Sequence, residues 1–264
     1  MGLRIAGLAL AVAASAWATG TACTYNTIDL TCQTFATGSG AVNLGTYASP
    51  IGAAYQLVLQ DIGGGTAGIF AFLPGGEGGP VVGATQGTLG SETGTFQAYV
   101  PGAATNGAFA NLAPFMYFGV YPNGSDPSNF SDPYALVIVD NSGFNQFTND
   151  AWYTDGIGPN STVHIVLFDW TAAAAGITNP DWLSCCSDLP TLSQLDSTVI
   201  PGVGTWGGLL LDEAVVQVGD WGGSGGPYTA YINGFAVTPE PGTAILFLLS
   251  VPLLFVGRRY VRRP

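Results

Sequence analysis

The sequence contains no lysine, and its five arginines lie only near the two ends of the chain. Between residues 23 and 239 there is neither lysine nor arginine, whereas 16 of the 17 acidic residues fall in this range. With His164 neutral, this stretch carries a charge of about −16. A body of that charge repels a phosphate backbone. The composition therefore excludes nucleic-acid binding.

The sequence offers few of the residues that common enzyme sites use. His164 is the only histidine, there is no lysine, and no C-x-x-C motif occurs. A glycosidase needs two carboxylates about 5 to 9.5 Å apart that face one substrate. Asp212 and Glu213 are the only adjacent acidic pair within a predicted strand. Strict strand alternation sends these two side chains to opposite faces. We therefore predict no catalytic residue and no enzyme activity.

The N-terminal segment is typical of a secretory signal peptide. Arg4 precedes an apolar stretch over residues 5–14, and small residues follow. Cleavage after Ala18 and cleavage after Ala22 both fit this pattern, and the second would make Cys23 the new terminus. Gly20 disfavours a lipoprotein signal there. The sequence predicts export, with a signal helix over residues 1–22.

The C-terminal end has three parts. Residues 238–242 read Thr-Pro-Glu-Pro-Gly, an apolar run covers residues 244–256, and a basic tail follows. Residues 244–257 would span about 21 Å as a helix, less than the roughly 30 Å hydrocarbon core of a bilayer. This length favours a transient membrane stop, although a plain anchor helix is the alternative. The basic stop consists of Arg258, Arg259, Arg262 and Arg263.

This arrangement resembles the PEP-CTERM sorting signal of Gram-negative-type bacteria. The Pro-Glu-Pro of that family falls on Pro239, Glu240 and Pro241. The resemblance covers residues 238–264 and implies that an exosortase-like enzyme cuts near the motif and discards the tail. It also implies delivery of the body to the cell surface or to an extracellular polysaccharide matrix, from a precursor held briefly in the inner membrane.

Residues 23–237 are predicted to form one all-β domain. Short β-rich runs alternate with clusters of Gly, Pro, Asn and Asp, which favours a single antiparallel β-sandwich of the jelly-roll or lectin-like type. The predicted strands cover residues 55–59, 68–73, 95–100, 115–121, 134–139, 162–170, 209–218 and 228–237.

The last part of this body resembles the end of a carbohydrate-module-like sandwich. The resemblance rests on residues 191–195, on the Trp-Gly-rich turn after residues 215–219 and on the closing run 228–237. It implies the fold and does not by itself establish sugar binding.

Aromatic side chains in or beside predicted loops are candidate sugar contacts, because a pyranose ring stacks on an aromatic face. Packing inside the sandwich is the alternative for each of them. The candidates are Trp152, Tyr153, Trp182, Trp206 and Trp221.

Two acidic clusters are candidate calcium sites, since calcium takes carboxylate and carbonyl oxygens. Neither matches the EF-hand loop, and solvated turn residues are the alternative. The first cluster contains Asp126 and Asp132, and the second contains Asp140, Asp150 and Asp155.

Four cysteines in an exported protein are expected to be oxidised. They are Cys23, Cys32, Cys185 and Cys186. A bond between the adjacent pair requires a strained eight-membered ring, so geometry favours cross-connections between the N-terminal pair and the 185/186 pair. If Cys23 is lost or acylated, one thiol is left over.

Together these features predict an exported, surface-sorted or matrix-associated, non-enzymatic β-sandwich that interacts with polysaccharide. Its membrane contact is through the C-terminal segment only. One alternative is a structural envelope or biofilm protein without a small-molecule ligand. The other is a secreted hydrolase, which would need Glu213, or His164 with an acid, at the base of a pocket.

Overall fold

The computed structural model describes residues 22–25, 28–31, 33–37, 40–48, 54–61, 66–76, 86–99, 114–129, 131–139, 153–184, 188–218 and 228–239. The strands within these ranges are β1 (Ala22–Tyr25), β2 (Ile28–Thr31), β3 (Gln33–Thr37), β4 (Gly40–Ala48), β5 (Ala54–Asp61), β6 (Thr66–Phe72), β7 (Glu92–Tyr99), β8 (Phe115–Tyr121), β9 (Tyr134–Val139), β10 (Tyr153–Ile157), β11 (Val163–Phe168), β12 (Val199–Ile200), β13 (Gly204–Thr205), β14 (Leu210–Val218) and β15 (Tyr228–Pro239). One short helix, α1 (Leu192–Asp196), and the 3-10 turns Leu89–Ser91, Pro180–Leu183 and Trp206–Gly208 complete the described elements.

The predicted all-β class is confirmed, and each of the eight predicted strands corresponds to an observed one. Two have the predicted bounds, β8 and β9. Both are short runs of aromatic and β-branched residues between turn residues, which is the pattern that favours a pleated, half-buried strand. The strands of residues 22–48, together with β10, β12 and β13, were not among those predicted.

The strands form two large sheets, which we name sheet A and sheet B. Sheet A has the order β10–β7–β15–β1–β2, with β5 also paired to β15 and β4 paired to β5. Sheet B has the order β11–β9–β8–β14–β6–β3. Among the described strand pairs, all are antiparallel except β1 with β15.

The two sheets pack face to face around one apolar core. Phe118 and Val120 of β8 in sheet B are fully buried in the same cluster as Phe96 of β7 and Ile232 of β15 in sheet A. Burying one such side chain contributes roughly 1.5–3 kcal/mol. The domain is therefore an antiparallel β-sandwich, held together mainly by apolar side chains between its sheets.

The segment between β11 and β14 contributes to the same core. Leu192 and Leu195 of α1 are fully buried in it. The helix begins at a capping box, in which the Thr191 hydroxyl accepts from the Gln194 N–H at 3.2 Å and the Gln194 side chain accepts from the Thr191 N–H at 2.9 Å. The cap and the two leucines explain why so short a helix forms at this point.

The last strand ends inside the predicted sorting motif. In the register of β15 with β7, Thr238 is opposite Thr93 and Pro239 is opposite Glu92. The sheet therefore extends two residues past the predicted body boundary at residue 237 and takes up the first proline of the motif.

Candidate functional site

One face of sheet B carries the aromatic and acidic side chains that make the best candidate site. Strand alternation turns this face, which we name the outer face, away from sheet A. Its residues form a second cluster, separate from the core between the sheets. The cluster comprises Phe35, Phe70, Phe72, Phe115, Tyr117, Tyr134, Leu136, Ile138, Val166, Phe168 and Val215.

Aromatic rings on the outer face lie side by side on neighbouring strands. Tyr134 of β9 and Phe168 of β11 are opposite each other in register, with ring centroids 6.1 Å apart. Phe70 and Phe72 of β6 meet edge to face at 5.4 Å. The rings of Tyr134, Phe168, Phe72 and Phe115 are half-buried, whereas Phe70 and Tyr117 are buried. The half-buried rings are the aromatic contact surface that the described part of the outer face offers.

A β-bulge in β14 brings two carboxylates to one tyrosine hydroxyl. The pairing of β14 with β8 shifts register between Leu211 and Glu213, so Asp212 is the extra residue. The Tyr134 hydroxyl lies 3.0 Å from Asp212 Oδ2 and 3.4 Å from Glu213 Oε1. Asp212 and Glu213 are 3 % and 7 % exposed. The expectation that alternation separates these two carboxylates is therefore wrong, because alternation holds only where the register is unbroken.

A glycine gives Tyr134 its path to this pair. Gly119 of β8 stands opposite Glu213 in β14 and opposite Leu136 in β9. A Cβ placed on Gly119 would overlap the Tyr134 hydroxyl oxygen and lie 2.8 Å from Glu213 Cγ. Because Gly119 has no side chain, the Tyr134 hydroxyl can cross over β8 and approach Glu213 in β14.

A second tyrosine holds a glycine turn beside Asp212. The Tyr121 hydroxyl donates to the Gly75 carbonyl at 2.9 Å, and Gln86 Nε2 donates to Tyr121 Oη at 2.5 Å. The Asp212 carbonyl accepts from the Leu73 N–H at 2.7 Å. A Cβ on Gly76 would lie 2.6 Å from Asp212 Oδ1, so only glycine allows this approach.

The carboxylates make this end of the outer face electrostatically negative. Burial, followed by the charge of Glu213, raises the pKa of both Tyr117 and Tyr134 well above its ordinary value of 10.0. Burial also raises the pKa of Tyr121, although the hydrogen bond from Gln86 opposes the shift. All three hydroxyls are therefore neutral at physiological pH, and each retains its proton for hydrogen bonding.

Trp206 lies in the core, where the sequence had suggested a sugar contact. Its ring is fully buried, its Nε1–H donates to the Ala175 carbonyl at 2.8 Å, and it stacks on Trp170 with centroids 5.6 Å apart. It packs because a nearby carbonyl satisfies its one polar atom. Trp206 is therefore a structural residue and no longer a candidate sugar contact.

Of the other predicted aromatic contacts, only Trp182 has a described side-chain environment. Trp182 is half-buried in the turn Pro180–Leu183 and packs against the core between the sheets. Tyr153 begins β10 in sheet A. Trp152 and Trp221 lie outside the described residues. Sugar contact at these four positions stays a prediction.

The first predicted calcium cluster is a loop between β8 and β9 whose carboxylates accept from loop donors. Asp126 Oδ1 accepts from the Ser128 N–H at 2.9 Å and from its hydroxyl at 2.6 Å. Asp132 accepts from the Asp126 N–H at 2.8 Å and from Asn129 Nδ2 at 3.0 Å. The Ser128 donors lower the pKa of Asp126.

The second predicted calcium cluster is described only at Asp155. This residue lies in β10 of sheet A, and its carboxylate accepts from the Gly156 N–H at 2.7 Å. Asp140 and Asp150 lie outside the described residues. Over the described ranges, no three His, Cys, Asp or Glu side chains come together as a metal site. Calcium binding stays a prediction.

His164 is placed as the sequence suggested, in a strand with apolar neighbours. It is half-buried in β11 and stands opposite Ile138 of β9. It is four residues from Phe168 along the strand, so it is on the same face of sheet B as Tyr134 but at the other end of β11.

The predicted targeting segments and disulfides lie almost entirely outside the described residues. Glu240, Pro241, the four C-terminal arginines and residues 1–21 are not described. The same holds for Cys32, Cys185 and Cys186, while Cys23 is described only as part of β1. Within the described parts of the chain, no helix is long and apolar enough to cross a membrane.

Sequence reasoning did not identify Tyr134 as a site residue and misplaced Asp212. A signal was present in residues 209–218, where the apolar side chains that join the core between the sheets change from odd to even positions. Leu209 and Leu211 point into the core, as do Ala214 and Val216. Such a change of parity within an apolar run indicates an inserted residue, and the two acids lie at this point.

No protein-family model and no curated protein matches the chain. Among solved structures, the chain is similar to a family 11 carbohydrate-binding module from Clostridium thermocellum in complex with a β-1,3-1,4-mixed-linked tetrasaccharide. The sequence identity is 10 %, the TM-score is 0.35, and the match covers 77 % of this chain and 86 % of the module. A second structure, the family 11 module of a cellulosomal cellulase of Clostridium thermocellum, matches with 9 % identity and a TM-score of 0.36 over 79 % of this chain and 88 % of the module.

A third likeness is to SGBP-B from a xyloglucan utilization locus in Bacteroides uniformis. The identity is 12 % and the TM-score 0.28, over 77 % of this chain and 46 % of that one. At TM-scores below 0.5, these likenesses carry no argument about the function of this chain. What this protein does must therefore follow from its own residues.

Proposed function

We propose that this protein is an exported, surface-sorted, non-enzymatic β-sandwich that binds polysaccharide on the outer face of sheet B. One observation carries the proposal. The half-buried rings of Tyr134 and Phe168 lie beside two carboxylates that meet at the Tyr134 hydroxyl. Sugars present both apolar ring faces and hydroxyl groups, and this arrangement offers a partner for each.

The two kinds of partner have different roles in the proposal. The rings of Tyr134 and Phe168 supply contact area, because they retain exposed surface. Asp212 and Glu213 are almost fully buried, so they mainly hold Tyr134 in place and supply a negative potential. Their small exposed remainder accepts hydrogen bonds from sugar hydroxyls.

The binding test uses the full chain, purified in mild detergent and run in native gels that contain soluble polysaccharides. Retarded migration that saturates with polysaccharide concentration is the expected result. Phe168→Ala and Tyr134→Ala each weaken binding about tenfold, which corresponds to about 1.4 kcal/mol. Binding that neither substitution changes would place the site elsewhere.

The matched control lies on the other sheet. Tyr231 of β15 is half-buried and pairs in register with Tyr99 of β7, with ring centroids 5.7 Å apart. Its neighbours Ala230 and Ile232 point into the core, so Tyr231 is on the outer side of sheet A. Tyr231→Ala removes the same atoms as Tyr134→Ala, and we expect unchanged binding.

The proposed absence of enzyme activity is tested separately, by measuring polysaccharide hydrolysis. The bulge brings Asp212 and Glu213 to the same hydroxyl, and a carboxylate pair is also what a glycosidase uses. Incubation with each retained polysaccharide, followed by measurement of reducing ends, separates binding from hydrolysis. Reducing ends that appear with the wild-type protein and not with Glu213→Gln would make the secreted hydrolase the better function.

The sorting part is tested on protein extracted from the surface of producing cells. Intact-mass analysis is expected to find a chain without the basic tail. Retention of residues 258–264 in the mature protein would contradict sorting and favour a plain anchor. Absence of polysaccharide binding in a correctly processed chain would favour the structural envelope protein.

A further inference from the structure

The charge distribution of the body restricts the class of polysaccharide. From residue 23 to 239 there are 16 acidic residues and no lysine or arginine. A protein surface that binds a carboxylated or sulfated polymer normally offers arginine or lysine side chains to its anionic groups. This chain has none to offer at any position of the body, whichever face the polymer approaches.

On the outer face, Asp212 and Glu213 add a local repulsion of anionic polysaccharides to the repulsion by the whole body. Asp212 and Glu213 lie within 3.4 Å of one hydroxyl, and both are more than nine-tenths buried. A negative charge on this pair is poorly screened by water and salt. A uronic acid carboxylate stacked near Tyr134 would face that charge, and the body of the chain has no lysine or arginine to compensate it.

The raised pKa values of two tyrosines on this face reflect the same negative potential. The negative charge of Glu213 helps to raise the pKa of Tyr117 and Tyr134, which means that it disfavours a second anion at either hydroxyl. A carboxylate on a bound sugar near these rings would experience the same repulsion. A neutral sugar hydroxyl, in contrast, can donate a hydrogen bond to a carboxylate, so the negative potential favours its binding.

We infer that the ligand of the outer face is an uncharged polysaccharide, whose hydroxyls donate to the Asp212 and Glu213 carboxylates and whose rings stack on Tyr134 and Phe168. Acidic polysaccharides are disfavoured and should bind about tenfold more weakly. The inference rests on the proposed polysaccharide-binding function and narrows it to one chemical class.

The test compares polymers that differ only in charge. Soluble β-glucan and mannan are the uncharged probes, and the same two polymers with their primary alcohols partly oxidised to carboxylates are the charged partners. The full chain is run in native gels with each polymer, once with a chelator and once with calcium. We expect at least one uncharged polymer to be bound about tenfold or more tightly than its oxidised form, under both conditions.

A charge-neutral variant identifies the source of this selectivity. In Asp212→Asn/Glu213→Gln the two carboxylates become amides of similar shape, and we expect the preference for the uncharged polymer to become several-fold smaller. Asp126→Asn/Asp132→Asn removes two charges from the β8–β9 loop and is the matched control, which leaves the preference unchanged. If the first variant fails to fold, the comparison of each polymer with its oxidised form on the wild-type protein still decides the question.

The outcomes are distinguishable from failure of the proposed function. Equal or tighter binding of an oxidised polymer, with chelator or only with calcium, would overturn the inference while polysaccharide binding stands. Retention of none of the polymers would remove the proposed function, and the inference with it.

Discussion

The hydroxyl of Tyr134 occupies the space that a side chain on Gly119 would fill. The two residues lie on adjacent strands, and Glu213 stands on the far side of Gly119 in β14. A residue without a side chain in β8 thus lets an aromatic residue of β9 reach a carboxylate two strands away.

Gly119→Ala is expected to displace Tyr134 from Glu213. The added Cβ would overlap the tyrosine hydroxyl, and overpacking of this kind destabilises a folded protein by about 1–3 kcal/mol. Urea unfolding followed by circular dichroism measures the change. Gly158→Ala is the control, because its Cβ would meet only Thr93 Cγ2 at 3.9 Å. Equal stability of the two variants would contradict the proposed path of Tyr134.

The free energy of unfolding is expected to fall as the pH rises above about 10. Tyr117 and Tyr134 have a raised pKa in the folded protein, so above the ordinary tyrosine pKa the folded state holds more protons than the unfolded state. Each contributes a slope of up to about 1.4 kcal/mol per pH unit. The chain has no lysine, so side-chain titration in this range is dominated by tyrosine.

Urea unfolding at pH 9, 10 and 11 measures this slope. Tyr134→Phe and Tyr117→Phe should each reduce it, while Tyr231→Phe on the other sheet serves as the control for loss of a hydroxyl. A free energy of unfolding that stays level between pH 10 and 11 would mean that the two hydroxyls ionise without difficulty in the folded protein.

Asp155→Asn is expected to stabilise the protein at neutral pH. Burial raises the pKa of Asp155, although the Gly156 N–H opposes the shift, so its ionised form is less favourable in the folded than in the unfolded state. Asparagine keeps the acceptor oxygen for Gly156 and carries no charge. The gain should shrink toward pH 3, where Asp155 is protonated in both states.

The control for Asp155 is a carboxylate whose pKa is shifted the other way. The Ser128 donors lower the pKa of Asp126, so Asp126→Asn should give no gain at neutral pH. Thermal unfolding at pH 7 and pH 3 compares both variants with the wild-type protein. A gain from Asp155→Asn that is as large at pH 3 as at pH 7 would refute the electrostatic explanation.

Trp206→Phe is expected to lower the free energy of unfolding by roughly 2–4 kcal/mol. The substitution leaves the Ala175 carbonyl without its 2.8 Å donor and opens space beside Trp170. The folded variant should bind polysaccharide as the wild type does, because this ring is fully buried. Trp182→Phe, at a half-buried position, should have a smaller effect on stability. If folded Trp206→Phe bound polysaccharide more weakly than the wild type, Trp206 would have to be a ligand contact after all.

A chain that ends at Pro239 is expected to unfold at nearly the same temperature as the full chain. One that ends at Asn233 should unfold at a much lower temperature, because it lacks Phe235 and Val237, which are 3 % and 1 % exposed in the core. It also loses the pairing of Thr24 and Tyr25 with β15. Equal melting temperatures of the two truncated chains would show that the end of β15 adds nothing to stability.

The limits of sequence reasoning are clearest in β14. Alternation predicts the inward positions of Ala214 and Val216, since the strand is regular there. It fails at Asp212, because a bulge depends on how β14 meets β8 and not on β14 alone. The meeting of Asp212 and Glu213 at Tyr134 is a tertiary feature of this kind.

Two other positions illustrate the same limit. Trp206 has loop-like neighbours in sequence, but its burial depends on the Ala175 carbonyl, 31 residues away. The helix α1 was detectable from the sequence itself, since a Thr three residues before a Gln is a capping-box signal. Local signals of this type predict elements, whereas the partners of a side chain require the assembled sheets.

The position of β15 determines the order in which this domain can fold. The strand is the last described along the chain, yet it pairs with β5 and β7 and lies parallel to β1, where Thr24 is opposite Ala236. A chain that has emerged only as far as β14 contains every strand of sheet B but lacks the strand that joins β5, β7 and β1 in sheet A. Pairing between strands so far apart in sequence is slow. Sheet A is therefore expected to be completed only after β15 has been added.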